Sequence, residues 1–167
     1  MSLIVRLSPE WERRAKQGGY ERQRYAESRN LEHFGGRPMT SLRALSNHIV
    51  GCRGECAVAK VLSLPWSVQA GVLTGVDVGG KVEARTRRMP DPHGDLAFRT
   101  KDKDDLPYVL VHAHRDGQLE LIGWLYGHEA RARGGDWHYQ ICYVAPPYRD
   151  IKSLITAFGR REVAEAA

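Results

Sequence analysis

Apolar positions change their period near residue 70. Upstream they recur at helical spacing; downstream they form short β-rich runs separated by Gly, Pro and Asp clusters. PEWERRAKQGGYERQRYAES begins with Ser8 as N-cap and Pro9 at the first helical position, and Gly18-Gly19 is expected to break or bend the helix. GGRP at 35–38 reads as a loop. TSLRALSNHIVGCRGECAVAKVL then predicts the best helix of the chain, over about 41–62, with Thr40 or Ser41 as cap. Leu42, Leu45, Ile49, Cys52, Cys56 and Ala59 follow its apolar spacing and are expected to face the core. Gly51 and Gly54 each cost such a helix about 1 kcal/mol against Ala, which implies close approach of another backbone or a ligand.

The downstream runs are GVLTGVDV, KVEARTR, DLAFR, YVLVHAH, LELIGWLY and WHYQICYV. Pro146-Pro147 ends the last of them, and DIKSLITAF reads as a short C-terminal helix before a fraying tail. Helix, helix, five or six strands and a helix describe an α+β domain, with helices against one mainly antiparallel or mixed sheet. We read residues 1–167 as a single domain: a basic N-terminal helical extension (1–39), a core (40–158) and a tail (159–167).

Composition narrows the class without fixing it. At 42% hydrophobic and 27% charged residues the chain is ordinary for a soluble domain, and no apolar run approaches the ~20 residues of a membrane span. The N-terminus lacks a long apolar segment with a cleavage site, and three cysteines (Cys52, Cys56, Cys142) make no disulfide framework. A reducing, cytoplasmic setting is therefore expected, without membrane attachment. The net charge of +5 favours a polyanionic partner. Arg13, Arg14, Lys16, Arg22 and Arg24 crowd the first helix, either as a solvated face or as phosphate contacts.

The densest chemistry lies in VDVGGKVEARTR, residues 76–87. Strand alternation points Val82, Ala84 and Thr86 one way and Lys81, Glu83, Arg85 and Arg87 the other. If Gly79-Gly80 turns the chain back, Asp77 meets Glu83, with Arg85 on the same face. Two readings are open: a solvated edge ribbon, or a metal site for phosphodiester cleavage. Mg²⁺ takes one or two carboxylates plus waters and substrate phosphate, and a neighbouring cation stabilises phosphate charge. His48, Cys52 and Cys56 at i, i+4, i+8 would strain around one zinc and read better as buried helix residues. His112 and His114 share a strand face, lining either the catalytic side or a solvated strand end. Trp66, Trp124 and Trp137 read as packing residues, and KDKDDLP at 101–107 as a charged loop whose Lys101 and Lys103 reach toward phosphate or serve solubility.

GCRGECAVAKVL, DVGGKVEART and YVLVHA…LELIGWLYGHEA, in that order, resemble the PD-(D/E)XK nuclease superfamily, and small bacteriophage-encoded members in particular. The similarity spans roughly residues 40–158. It implies a restriction-endonuclease-like core with a central mixed or antiparallel sheet flanked by helices. It further implies divalent-metal-dependent DNA hydrolysis, in a bacterial host cell if phage-encoded, and a homodimer where both strands are cut. By the same resemblance Asp77 and Glu83 are metal-binding carboxylates, Ala84 supplies a carbonyl ligand, and Glu55 is the early-helix acid completing a Mg²⁺ or Mn²⁺ site. Arg85 stands where the superfamily has lysine. A guanidinium stays protonated and cannot act as a base. It would clamp the phosphate and leave water activation to the metal, or Lys81, Lys101 or Lys103 would supply the missing group. Arg87 and Arg88 would track the DNA backbone. The alternative is a catalytically weak or inactive DNA-binding or protein-interaction module on the same fold.

Overall fold

In the computed structural model, residues 1–29, 41–68, 76–91, 94–134 and 140–159 are described. At the centre lies a helix, α2 (Ser41–Leu62), preceded in sequence by strand β1 (Leu3–Val5) and helix α1 (Pro9–Ser28). Its Gly54–Ala59 stretch is buried on all sides, because α1 covers one flank and a sheet the other. The apolar face expected for α2 therefore holds in its second half. Leu42 is a correction: it is 81% exposed, since it sits in the first turn rather than in that buried stretch. The cap expected at Thr40 or Ser41 and the loop at 35–38 fall outside what is described, as do residues 69–75, Trp137 and the tail from 160 onward.

A second correction concerns α1, which runs unbroken through Gly18-Gly19. The glycines serve helix packing instead of breaking the helix. A Cβ at Gly18 would lie 2.9 Å from Val68 and 3.0 Å from the Trp66 ring, and one at Gly19 would meet the Ile49 backbone. Removing both side chains lets α1 lie directly on α2, and that packing offsets their poor propensity. Ser8 caps α1 as expected, its hydroxyl accepting from Trp11 N at 3.4 Å. The N-terminal segment is built into the fold, with β1 pairing antiparallel to the central sheet.

The remaining elements are β2 (Glu83–Arg88), β3 (Leu96–Arg99), β4 (Pro107–Ala113), β5 (Leu119–Tyr126), α3 (Gly127–Arg133), β6 (Ile141–Val144) and α4 (Ile151–Phe158). One sheet was expected; two form. A four-stranded mixed sheet has the order β1-β5-β4-β2, with β2 parallel to β4 and the other pairs antiparallel, while β3 and β6 make a separate antiparallel ribbon. Neither β1 nor the short α3 is anticipated from the pattern.

β4 is buried on both faces, which is why YVLV reads as a continuous apolar run. Val109, Val111 and Ala113 enter the main core under α2, and Tyr108 and Leu110 enter a second core under the β3–β6 ribbon. β2 is the outermost strand of its sheet, and α2 crosses its inner face so closely that a Cβ on Gly54 would collide with Thr86 Oγ1. The chain is thus an α+β protein with a mixed sheet flanked by helices. Among the described residues no helix is long and apolar enough to cross a membrane.

Candidate metal centre

The turn expected at Gly79-Gly80 forms. Both glycines adopt positive φ (56° and 68°), a conformation costly for residues with a Cβ. Lys81 N donates to Val78 O at 3.0 Å, and Val78 and Val82 exchange backbone bonds of 3.0 and 3.2 Å. This antiparallel bridge sets Asp77 opposite Glu83, so their side chains share a face. The two carboxyl groups are near enough for Glu83 to act directly on the Asp77 titration. Ala84 N also donates to Asp77 Oδ2 at 3.4 Å, so it points off the outer edge of β2. Because the N–H and C=O of one strand residue face the same side, the Ala84 carbonyl is directed to that edge too.

Electrostatics at the pair are strained. Burial, then the Glu83 carboxylate, push the Asp77 pKa up to about 7, against the pull of Arg85 and Arg22. Arg85 is wedged beside them. Its Nη1 donates to Glu83 Oε2 at 3.0 Å, its Nη2 donates to Asp102 Oδ1 at 3.0 Å, and its guanidinium lies 5.0 Å over the Tyr108 ring. Burial pulls its pKa down, but Asp102, Glu83 and Asp77 outweigh that, and the net direction is up. The second Asp102 oxygen accepts from Arg99 N at 2.9 Å, which fixes the loop.

Glu55 reaches the same region from α2 and is 4% exposed. It is held by Arg22 of α1 through a two-pronged pair (2.6 and 2.8 Å) and by Trp66 Nε1 at 2.9 Å. Burial and the Asp77 charge push its pKa up; Arg22 and Trp66 pull it down. Arg22 Nη2 lies 3.9 Å from Asp77 Oδ1. The result is a chain of charges, Glu55–Arg22–Asp77–Glu83–Arg85–Asp102. Among the described residues no three His, Cys, Asp or Glu form a ready metal-ligand group. A site built on Asp77 and Glu83 is therefore a two-carboxylate site, completed by backbone and water oxygens.

The other sequence candidates are dispersed. Lys81, Lys101 and Lys103 are exposed, the last two flanking Asp102 on the loop that meets Arg85. Arg87 pairs with Asp91 at 2.8 Å and lies over Tyr143, while Arg88 donates to Ser46 Oγ at 2.6 Å near the far end of β2. His112 Nε2 lies 2.7 Å from Gly94 O and His114 Nε2 lies 2.9 Å from Glu120 Oε2, towards the other end of β4 from the residues facing Glu83. Cys52 and Cys56 are core thiols, and burial pushes Cys52 up to about 12.

Three residues of this cluster escaped sequence reasoning: Arg22 among the charges of α1, Trp66 among the packing aromatics, and Asp102 among the loop charges. Only Arg22 left a signal. Gly18-Gly19 marks where α1 touches α2, and residues three or four positions on share that face. Comparison of the chain with protein-family models, with curated proteins and with solved structures finds no match.

Proposed function

We propose that the chain is a Mg²⁺- or Mn²⁺-dependent nuclease acting on DNA, on a restriction-endonuclease-like core of the PD-(D/E)XK kind. The observation that carries this reading is the Asp77–Glu83 pair: two carboxyls set opposite each other across the Val78–Val82 bridge at a sheet edge, with the Asp77 pKa raised to about 7. Arg85 at 3.0 Å from Glu83 and Arg22 at 3.9 Å from Asp77 offset the two acids only in part, since the Asp77 pKa stays raised, and acids set side by side favour a proton or a bound cation. The donors suit a hard cation, being Asp77 and Glu83 oxygens with the Ala84 carbonyl beside them. What the cation supplies when bound is polarisation of a phosphoryl oxygen and a lowered pKa for water.

The protein's own groups do the rest. Arg85 holds Glu83 in one orientation, and Asp102 fixes Arg85 in turn. Lys101 and Lys103, on either side of Asp102, provide exposed positive charge for the phosphate backbone, a contact that positions substrate without reading bases. Ala84 N steers the Asp77 carboxylate toward the edge where substrate would lie.

A second reading is favoured by Arg85 itself. Glu83 and Asp102 each take one N–H of its two terminal nitrogens at 3.0 Å and orient the guanidinium toward themselves, so a phosphate would meet Arg85 only through its remaining N–H groups. A DNA-binding module with weak or no turnover follows from that geometry. Incubation of supercoiled plasmid with wild type and Glu83→Ala, with and without Mn²⁺, separates the two. Nicking by wild type that needs Mn²⁺ and disappears in Glu83→Ala supports the nuclease. Salt-sensitive DNA binding without nicking supports the second reading, and absence of both discards the two together.

A further inference from the structure

Both Glu55 oxygens are engaged by neighbours that are not metal. Oε1 accepts from Arg22 Nη1 at 2.6 Å, and Oε2 accepts from Arg22 Nη2 at 2.8 Å and Trp66 Nε1 at 2.9 Å. The fork-to-fork geometry is the strong, planar mode available to arginine and not to lysine. Its Nη2, the nitrogen that bonds Glu55 Oε2, also stands 3.9 Å from Asp77 Oδ1. Arg22 therefore bridges the two acids through one nitrogen, and its positive charge is set against their mutual repulsion. The fold invests in this placement. Gly18 and Gly19 bring α1 onto α2, and Trp66 is tied to the Asp77 hairpin by its bridge to Val78 and by the Gly79 N bond to Pro65 O at 3.0 Å.

We propose that Arg22 is a fixed cation of this site, standing at Asp77 where a second metal ion would stand, and that Glu55 and Trp66 position Arg22 instead of ligating metal. The proposal rests on the metal-site reading above and deepens it: the chain takes one divalent cation, held by Asp77 and Glu83. Glu55 is then a positioning residue, although it lies near Asp77. A guanidinium fixed beside the phosphate-facing edge supplies positive charge without ion exchange or reorganisation.

The test is calorimetric titration of Mn²⁺ into wild type, Glu55→Gln, Arg22→Met and the double variant, with plasmid nicking followed on the same samples. Wild type is expected to take one Mn²⁺ per chain. Glu55→Gln should keep its Mn²⁺ affinity within about threefold, because no ligand is lost. Arg22→Met should bind Mn²⁺ about threefold more tightly or better, since a like charge beside the cation is gone. Nicking should nevertheless slow about tenfold or more in each single variant and no further in the double, as for residues acting as one unit. Should a melting scan show Arg22→Met unfolded, Arg22→Lys replaces it: charge is kept and the fork lost, so near-wild-type Mn²⁺ affinity with slowed nicking is expected. A loss of Mn²⁺ affinity of about tenfold or more in Glu55→Gln would make Glu55 a ligand and overturn the proposal. Two Mn²⁺ per wild-type chain would overturn it as well. Wild type that binds Mn²⁺ without cutting DNA removes the nuclease reading alone, and the ordering of the affinities still decides the role of Glu55. No Mn²⁺ binding by wild type removes both.

Discussion

Asp77 is held at a cost to the folded state. Its native pKa of about 7 stands above the value of 3.8 it would have in the unfolded chain, mainly through burial and then through Glu83. The native protein therefore grips this proton more tightly. The contribution to stability is fully present below the unfolded value and is lost as pH rises through about 7. Asp77→Asn removes the charge and keeps an amide oxygen able to accept from Ala84 N. Urea unfolding should find the variant similar to wild type at about pH 4 and more stable by at least about 1 kcal/mol at about pH 8, with a flatter pH profile between. A wild type whose stability rises across the same interval would contradict the raised pKa. Stability gained by removing an acid is what a functional site predicts, since such sites are arranged for chemistry at the expense of the fold.

At the scale of elements, helix α2 carries two glycines that look alike in sequence and differ in place. A Cβ on Gly54 would strike Thr86 Oγ1 of β2, whereas one on Gly51 would find its nearest neighbour, Arg22 Nη1, at 4.0 Å. Gly54→Ala should therefore push α2 off the sheet and cost about 2–3 kcal/mol. Gly51→Ala should gain about 0.5–1 kcal/mol through helix propensity. Thermal melts of the two variants, moving in opposite directions, check this. The pair shows how far the pattern was legible. Glycines inside a good helix did signal close approach, but which one was needed depended on the register of α2 against β2, a long-range fact. LELIGWLY marked β5 well, yet its phase changes where the β4–β5 register shifts: Leu119 and Leu121 enter the main core from odd positions, Trp124 from an even one. The Asp77–Glu83 encounter was legible because a Gly-Gly turn and strand alternation are local. Asp102 was not, because it arrives from a segment distant in sequence and resembles any surface charge until the fold buries it, and for Arg22 only its place on the Gly18-Gly19 face was.

Across the whole molecule positive charge is in excess, yet in this cluster acids prevail. Glu55, Asp77, Glu83 and Asp102 stand against Arg22 and Arg85, with Arg99 close enough to feel three of the four acids. A proton on Asp77 brings the cluster to neutrality; a divalent cation in its place leaves it positive, complementary to a phosphodiester. Proton and metal are then competitors for one position, which ties metal binding to pH. With Mn²⁺ at about one hundred times its Kd, binding to the native state should add about 2.7 kcal/mol. For a chain of this size that corresponds to a rise in Tm of about 5–10 °C. At about pH 6 the competing proton on Asp77 should weaken binding by about tenfold, halving the shift, while at about pH 8 the full rise should appear. Glu83→Ala should abolish the shift at both values, and Mn²⁺ should leave a melting curve of that variant where EDTA does. A shift independent of pH, or one that survives Glu83→Ala, would place the cation elsewhere on the chain. The strained pair would then be a buried proton trap with no part in binding metal.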